Sequence, residues 1–338
     1  MKRILQFLTL ISLIIAFSAQ GVKANSANPV LTGTFIQLWD EHATWSDQRW
    51  QSLFAALRAI GIDEVVVQWT VDGATPTYAS GYFIAPARLA LEKVLRAARD
   101  QHMRVVLGLV HDQAYWEKIK RDPNLVRWYF RRLCNDSLAA AEELLRLDYG
   151  KNVITGLYIP QEIDDRSWLE ADRQAELLNF LTNLRAGLRT LAPHLPVAVS
   201  GFSNGYAEPE TLKKLWQRIL TKSGIDRVLF QDGVGVHKLE VNEVSLFFRA
   251  VSQAVEKTGR IFTPVVEVFT QVDGAPLNQK TFRAVPAPLA RLKKQLKVAG
   301  SVPHAGIMAF SLPEYCSPFG GEQATAFYKE YKAYKDAL

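Results

Sequence analysis

The stretch GLYIPQEID, residues 156–164, sets the reading of the whole chain. Apolar residues run up to Pro160 and then give way to Gln161, Glu162, Ile163 and Asp164. A continuous apolar run suits a strand buried on both faces, as in a parallel sheet. A carboxylate ending such a strand is expensive unless it is paired or faces a solvated cleft. Either Glu162 works with a second carboxylate, or a basic group such as Arg166 neutralises it.

Outward from this stretch the same pattern recurs eight times. The strand candidates are GTFIQLW (33–39), EVVVQWT (64–70), RVVLGLV (104–110) and VITGLYI (153–159), then LPVAVSGF (195–202), RVLFQDG (227–233), FTPVVEVF (262–269) and GIMAFSL (306–312). Helical stripes separate them. Trp50, Leu53, Phe54 and Leu57 share one face, with Ser46 as N-cap, a Trp45–Trp50 staple and Gly61 at the C-terminal end. Leu177, Leu181, Leu184, Leu188 and Leu191 trace a second face, Val244, Phe247, Val251 and Val255 a third, and Tyr328, Tyr331 and Tyr334 a fourth. Eight strand–helix units predict an α/β chain folded as a (β/α)8 TIM barrel, a single domain over residues 25–338. A doubly wound sheet is the runner-up, but the glycine-rich turn it would carry after the first strand is missing. Residues 71–86 and 270–287 are the longest irregular stretches, and in a barrel they would overhang the active face.

The composition fits a globular protein: 338 residues, 48% hydrophobic and 22% charged. Residues 1–24 read as a signal peptide, with a basic start at Lys2 and Arg3, the apolar run ILQFLTLISLIIAF (4–17), and Val22-Lys23-Ala24 before cleavage. The expected location is therefore periplasmic or secreted, with no membrane span after cleavage. Cleavage removes Lys2, Arg3 and Lys23, so the net charge of +6 overstates the basicity. No basic run with interleaved aromatics suggests nucleic acid as a partner. Cys134 and Cys316 are the only cysteines, and two free thiols are expected.

Catalytic groups of such a barrel stand at the C-terminal ends of its strands. There the chain offers Gln37 and Trp39, Gln68 and Trp69, His111, then Gln161, Glu162 and Asp164, Asn204, Gln231 and Asp232, Glu267, and Tyr315. Glu267 interrupts the apolar VVEVF, and strands four and seven lie across the mouth from one another. Two facing carboxylates are the equipment of glycoside hydrolysis: one protonates the leaving oxygen, the other attacks the sugar carbon or activates water. Trp39, Trp69, Tyr158, Phe202 and Tyr315 could stack on sugar faces, and Gln37, Gln68, Gln161, Gln231 and Asn204 could bond hydroxyls. For His111 a hydrogen-bonding wall residue is the better reading than a base, and for Asp232 a turn cap competes evenly with function. No HExxH motif, cysteine–histidine cluster or Walker loop is present, and no metal or organic cofactor is expected.

GTFIQLW, EVVVQWT, LYIPQEID, QDGVGV and VVEVF together resemble the exported bacterial barrels of domain-of-unknown-function family 4434, described as glycoside-hydrolase-like. The wider pattern is similar to clan A of the glycoside hydrolases. That resemblance implies Glu162 as acid/base, Glu267 as nucleophile, and retention of anomeric configuration, with carboxyl groups roughly 5–5.5 Å apart. Gln161 stands where clan A usually has Asn, and strand six supplies Gln231 and Asp232 in place of a tyrosine. An inverting mechanism with Asp232 or Asp164 as base stays open at this level. So does a non-catalytic carbohydrate-binding barrel in envelope polysaccharide assembly, and more weakly a partner-binding scaffold.

Overall fold

The computed structural model describes residues 28–147 and 153–338, so the expected signal peptide, residues 1–24, lies outside the described residues. Eight parallel strands close into a barrel: β1 (Gly33–Ile36), β2 (Glu64–Val67), β3 (Arg104–Gly108), β4 (Ile154–Asp164), β5 (Val197–Phe202), β6 (Arg227–Gln231), β7 (Ile261–Glu267) and β8 (Met308–Phe310). Each strand pairs with its neighbours in sequence, and β1 pairs with both β2 and β8. The principal helices between them are α1 (Asp47–Ala59), α2 (Leu91–Asp100), α3 (Pro123–Arg146), α4 (Ala171–Leu191), α5 (Pro209–Ser223), α6 (Val241–Lys257), α7 (Leu289–Ala299) and α8 (Glu322–Asp336). The eightfold pattern read from the sequence is thus the barrel itself.

Side chains of a strand alternate between its two faces. In this barrel the outward set packs under the helices and the inward set fills the centre. One inward residue from each strand meets there: Phe35, Val66, Val106, Tyr158, Ala198, Leu229, Val265 and Met308, all buried. Two positions earlier in β2 and β6, Glu64 and Arg227 form an ion pair of 2.6 Å, and Arg227 also donates to Thr263 Oγ1. Its cross-barrel geometry neutralises the buried carboxylate at the N-terminal end. Gly33 faces Met308 so closely that a Cβ there would lie 2.1 Å from its sulfur.

The helices follow their stripes. Ser46 Oγ accepts the Arg49 N–H, and the Trp45 and Trp50 rings meet at 4.8 Å, so the cap and the staple both form. Tyr331 of α8 is buried, and its hydroxyl accepts the Leu31 N–H. Leu191 departs from its expected face and is 38% exposed, because it is the last residue of α4 and lies beyond the layer the helix covers.

Of the two long loops, only one overhangs the mouth. Phe269–Asp273 and Arg283–Pro286 pair as an antiparallel hairpin beside it. Residues 71–86 instead fold outward: Val71–Asp72 pairs with Thr75–Pro76 and with Val110–His111. The following turn is strapped to α3 by Glu143, which accepts from Ser80 Oγ and from the Gly81 and Tyr82 N–H groups.

Gly108, at the top of β3, backs onto the main chain of the β2 end: a Cβ there would lie 2.2 Å from the Gln68 carbonyl oxygen. Gly108→Ala is expected to force these strands apart and to lower stability by about 1–3 kcal/mol. The readout is a lower urea midpoint with an unchanged slope.

Candidate active site

Of the inward positions two residues above the central layer, Gln37, Gln68, Gln231, Glu267 and Phe310 line a cleft of about 840 Å3 at the C-terminal mouth. On β4 the register against β5 shifts between Ile159 and Ile163. Gln161 turns away there and donates to the Val110 carbonyl at 2.9 Å, whereas Glu162 enters the cleft. Trp39, Trp116, Phe202, Phe269, Phe282 and Tyr315 supply aromatic wall, with Tyr315 stacked on Phe269 at 5.1 Å.

Glu267 is only 3% exposed and is held at several points. Its N–H donates to Asp232 Oδ1 at 3.2 Å, and its carbonyl accepts from Arg291 and Gln295 of α7. Its Oε2 accepts the Val236 N–H at 3.1 Å. Gly235 allows this approach, because a Cβ there would lie 2.9 Å from that same oxygen. Burial, reinforced by the charge of Asp232, pushes the Glu267 pKa up to about 8. Asp232 is itself raised, to about 6, by burial, although Gln295 donates to its Oδ2 at 2.7 Å.

Glu162 accepts from Gln231 Nε2, and its carbonyl accepts from the Tyr115 hydroxyl at 2.8 Å. It forms no ion pair with Arg166 or any other cation among the described residues. Burial raises its pKa too. Lys238, in the loop after β6, also lines the cleft and lays its ammonium 3.2 Å from the centre of the Phe202 ring.

Of the residues expected from sequence, Glu162, Glu267, Gln37, Trp39, Gln68, Asp164, Asn204, Gln231 and Tyr315 meet in this cleft. Asp164 accepts from Ser167 N–H and Asn204 Nδ2. Five others stand behind its wall. Tyr158 belongs to the central layer below, its hydroxyl hydrogen-bonded to Ser200 Oγ. Gln161 is fixed on the Val110 carbonyl and Asp232 supports Glu267 from behind. Trp69, adjacent to inward-facing Gln68, is 2% exposed and lies between Trp39 and a stacked His111. His111 Nδ1 contacts Asp72 at 2.9 Å. Sequence reasoning missed Lys238, Trp116, Phe269, Phe282 and Phe310, and named Arg166 only as a partner for Glu162. Phe310 was legible from the two-residue spacing above Met308, but the loop residues left no periodic signal. Among the described residues no group of three or more His, Cys, Asp or Glu is placed to hold a metal ion, and no helix is long and apolar enough to cross a membrane.

Residues 31–320 match the model of the family described as "Domain of unknown function (DUF4434)". The chain belongs to that family. It is 29% identical over 268 residues to the uncharacterized protein YbcH of Escherichia coli (strain K12), covering 79% of this chain and 84% of that one. Among solved structures it is similar to a "putative alpha-L-fucosidase" from Bacteroides thetaiotaomicron VPI-5482, with a TM-score of 0.75, 20% identity, and 92% and 96% of the two chains covered. It is also similar to an endo-1,4-beta-mannanase from Rhizomucor miehei, with a TM-score of 0.53, 11% identity, and again 92% and 96% covered. These likenesses are of fold: a glycoside-hydrolase-like (β/α)8 barrel, as the resemblance to clan A implied.

Because the folded pKa of Glu267 lies above the ordinary value of 4.5, the folded state keeps a proton that the unfolded chain has released. The stabilising effect of that proton is full below pH 4.5 and is lost as pH rises through about 8. Glu267→Gln is therefore expected to raise the melting temperature relative to wild type at about pH 9, and much less at about pH 4. Thermal melts of both proteins across that range check the sign.

Proposed function

We propose that this protein is an exported glycoside hydrolase acting on a polysaccharide or oligosaccharide. The observation that carries the reading is that Glu162 and Glu267, from strands on opposite sides of the mouth, line one aromatic-walled cleft. In this reading Glu162, open to the cleft and with its pKa raised by burial, gives its proton to the leaving oxygen. Glu267 attacks the anomeric carbon, its free oxygen oriented by the Val236 N–H on the other. The apolar run at residues 4–17 supports export.

The retaining mechanism is favoured over the inverting one by the surroundings of the alternative bases. Asp232 is 1% exposed, has both oxygens hydrogen-bonded by protein groups, and does not line the cleft. Asp164 has one oxygen bonded to the Ser167 N–H and the other to Asn204.

One observation favours a second reading, a carbohydrate-binding barrel without turnover. Glu267 is buried beside Asp232, which pushes its pKa up to about 8, and in its protonated form it donates a hydrogen bond better than it attacks. The two readings part in their pH dependence. The hydrolase loses kcat/KM below about pH 8 as Glu267 takes up its proton. Asp232→Asn, which removes the neighbouring negative charge, is expected to move that acidic limb to lower pH.

On a glycan that the wild type cleaves, Glu162→Gln and Glu267→Gln are each expected to lower kcat by at least about 100-fold. NMR of the first-formed product should show the anomer of the substrate. Full activity in both variants would overturn the site assignment, and the opposite anomer would overturn retention.

A further inference from the structure

We propose that the cleft takes a glycan whose sugars carry carboxylates, with Lys238 binding the carboxylate of the unit beside Glu162 and Glu267, and Arg166 one further along. This rests on the sugar-site reading above and names its substrate class. Four cations line the cleft: Lys120, Arg166, Arg173 and Lys238. Two of them are already used. Arg173 donates to the Ile119, Lys120 and Arg121 carbonyls and to Glu170, and Lys120 pairs with Glu117 at 2.9 Å.

Lys238 and Arg166 differ from these. Among the described residues neither has a hydrogen-bond acceptor or a carboxylate within ion-pairing distance. Lys238 is also half-buried, on a loop that fixes its place: its N–H donates to the Gly233 carbonyl at 2.9 Å, and Gly233 takes a φ of 65° to make that turn. The face of Phe202 attracts the ammonium from one side only. A half-buried ammonium that no protein acceptor holds is an uncompensated cation at a ligand site, and a carboxylate is the ligand group that answers it most strongly. Burial lowers the Lys238 pKa, opposed by the charges of Glu162 and Glu267, so a further anion would hold it charged. Both glutamates are in turn raised by burial, which reduces the negative charge an acidic sugar would meet.

The test uses Glu162→Gln protein, to suppress turnover, and calorimetric titration with oligomers of galacturonate, glucuronate and mannuronate. Each is compared with its own carboxyl-reduced form, which has the same sugar backbone without the charge. At least one acid oligomer is expected to bind about tenfold or more tightly than its reduced partner. Adding Lys238→Met should remove most of that preference, and Arg166→Ala, at an exposed position, should remove part of it with the fold intact. Equal binding of every acid and reduced pair would overturn the proposal and leave the sugar-site reading standing. So would a Lys238→Met variant that weakens acid and reduced forms alike, since the lysine would then serve only the two glutamates. Loss of all glycan binding would overturn both.

Discussion

Closure of the sheet through β1 is the constraint on which the rest depends. β1 is only four residues long: Gly33 to Ile36 pair with β2, and Gly33 and Thr34 also pair with β8, which has only three. Side chains reinforce so short a seam: Thr34 Oγ1 donates to the Ala309 carbonyl and accepts the Leu312 N–H. Closure brings eight strand ends to one rim, and an open sheet would leave strands four and seven with no common cleft. The absence of a Cβ at Gly33 admits the Met308 side chain to the bottom of the central layer.

Two buried glutamates in the same barrel show how differently it treats one functional group. Glu64, at the N-terminal end, has the Arg227 guanidinium against it. Glu267, at the C-terminal end, has Asp232 behind it and, among the described residues, no cation paired with its carboxylate. Its support comes from peptide N–H groups and from α7, through Gln295 and Arg291, which fix its backbone without neutralising its side chain. A carboxyl that is immobilised yet left uncompensated is unfavourable for folding and useful at a reacting centre. The same contrast separates the structural carboxylate Asp165, bonded by Ser203 Oγ and by the Asn204, Tyr206 and Ala207 N–H groups, from Glu162.

The sequence was most legible where it was most periodic. Apolar runs located the eight strands, and a polar residue at each run's end located the mouth. The finer distinction needed the two-residue alternation within each strand. Trp69 follows inward Gln68 and so turns out of the barrel; Tyr158 has the inward parity but sits one layer too deep; Gln161 is displaced by the β4 register shift, which no local pattern announces. Lys238, Arg166 and Phe282 come from loops, where position is set by turns and by contacts distant in sequence. Asp232 fits the even reading it received: it caps the turn at Val234 and also holds Glu267.

Cys134 and Cys316 are free and buried, one in α3 and the other in the connection between β8 and α8. Burial raises both thiols above their ordinary pKa, so little thiolate is available to attack a disulfide or meet an oxidant. The fold therefore asks nothing of the redox state around it. It needs no oxidase or isomerase to assemble, gains no cross-link from an oxidising compartment, and should be the same molecule when made in a reducing cytoplasm and handled without reductant.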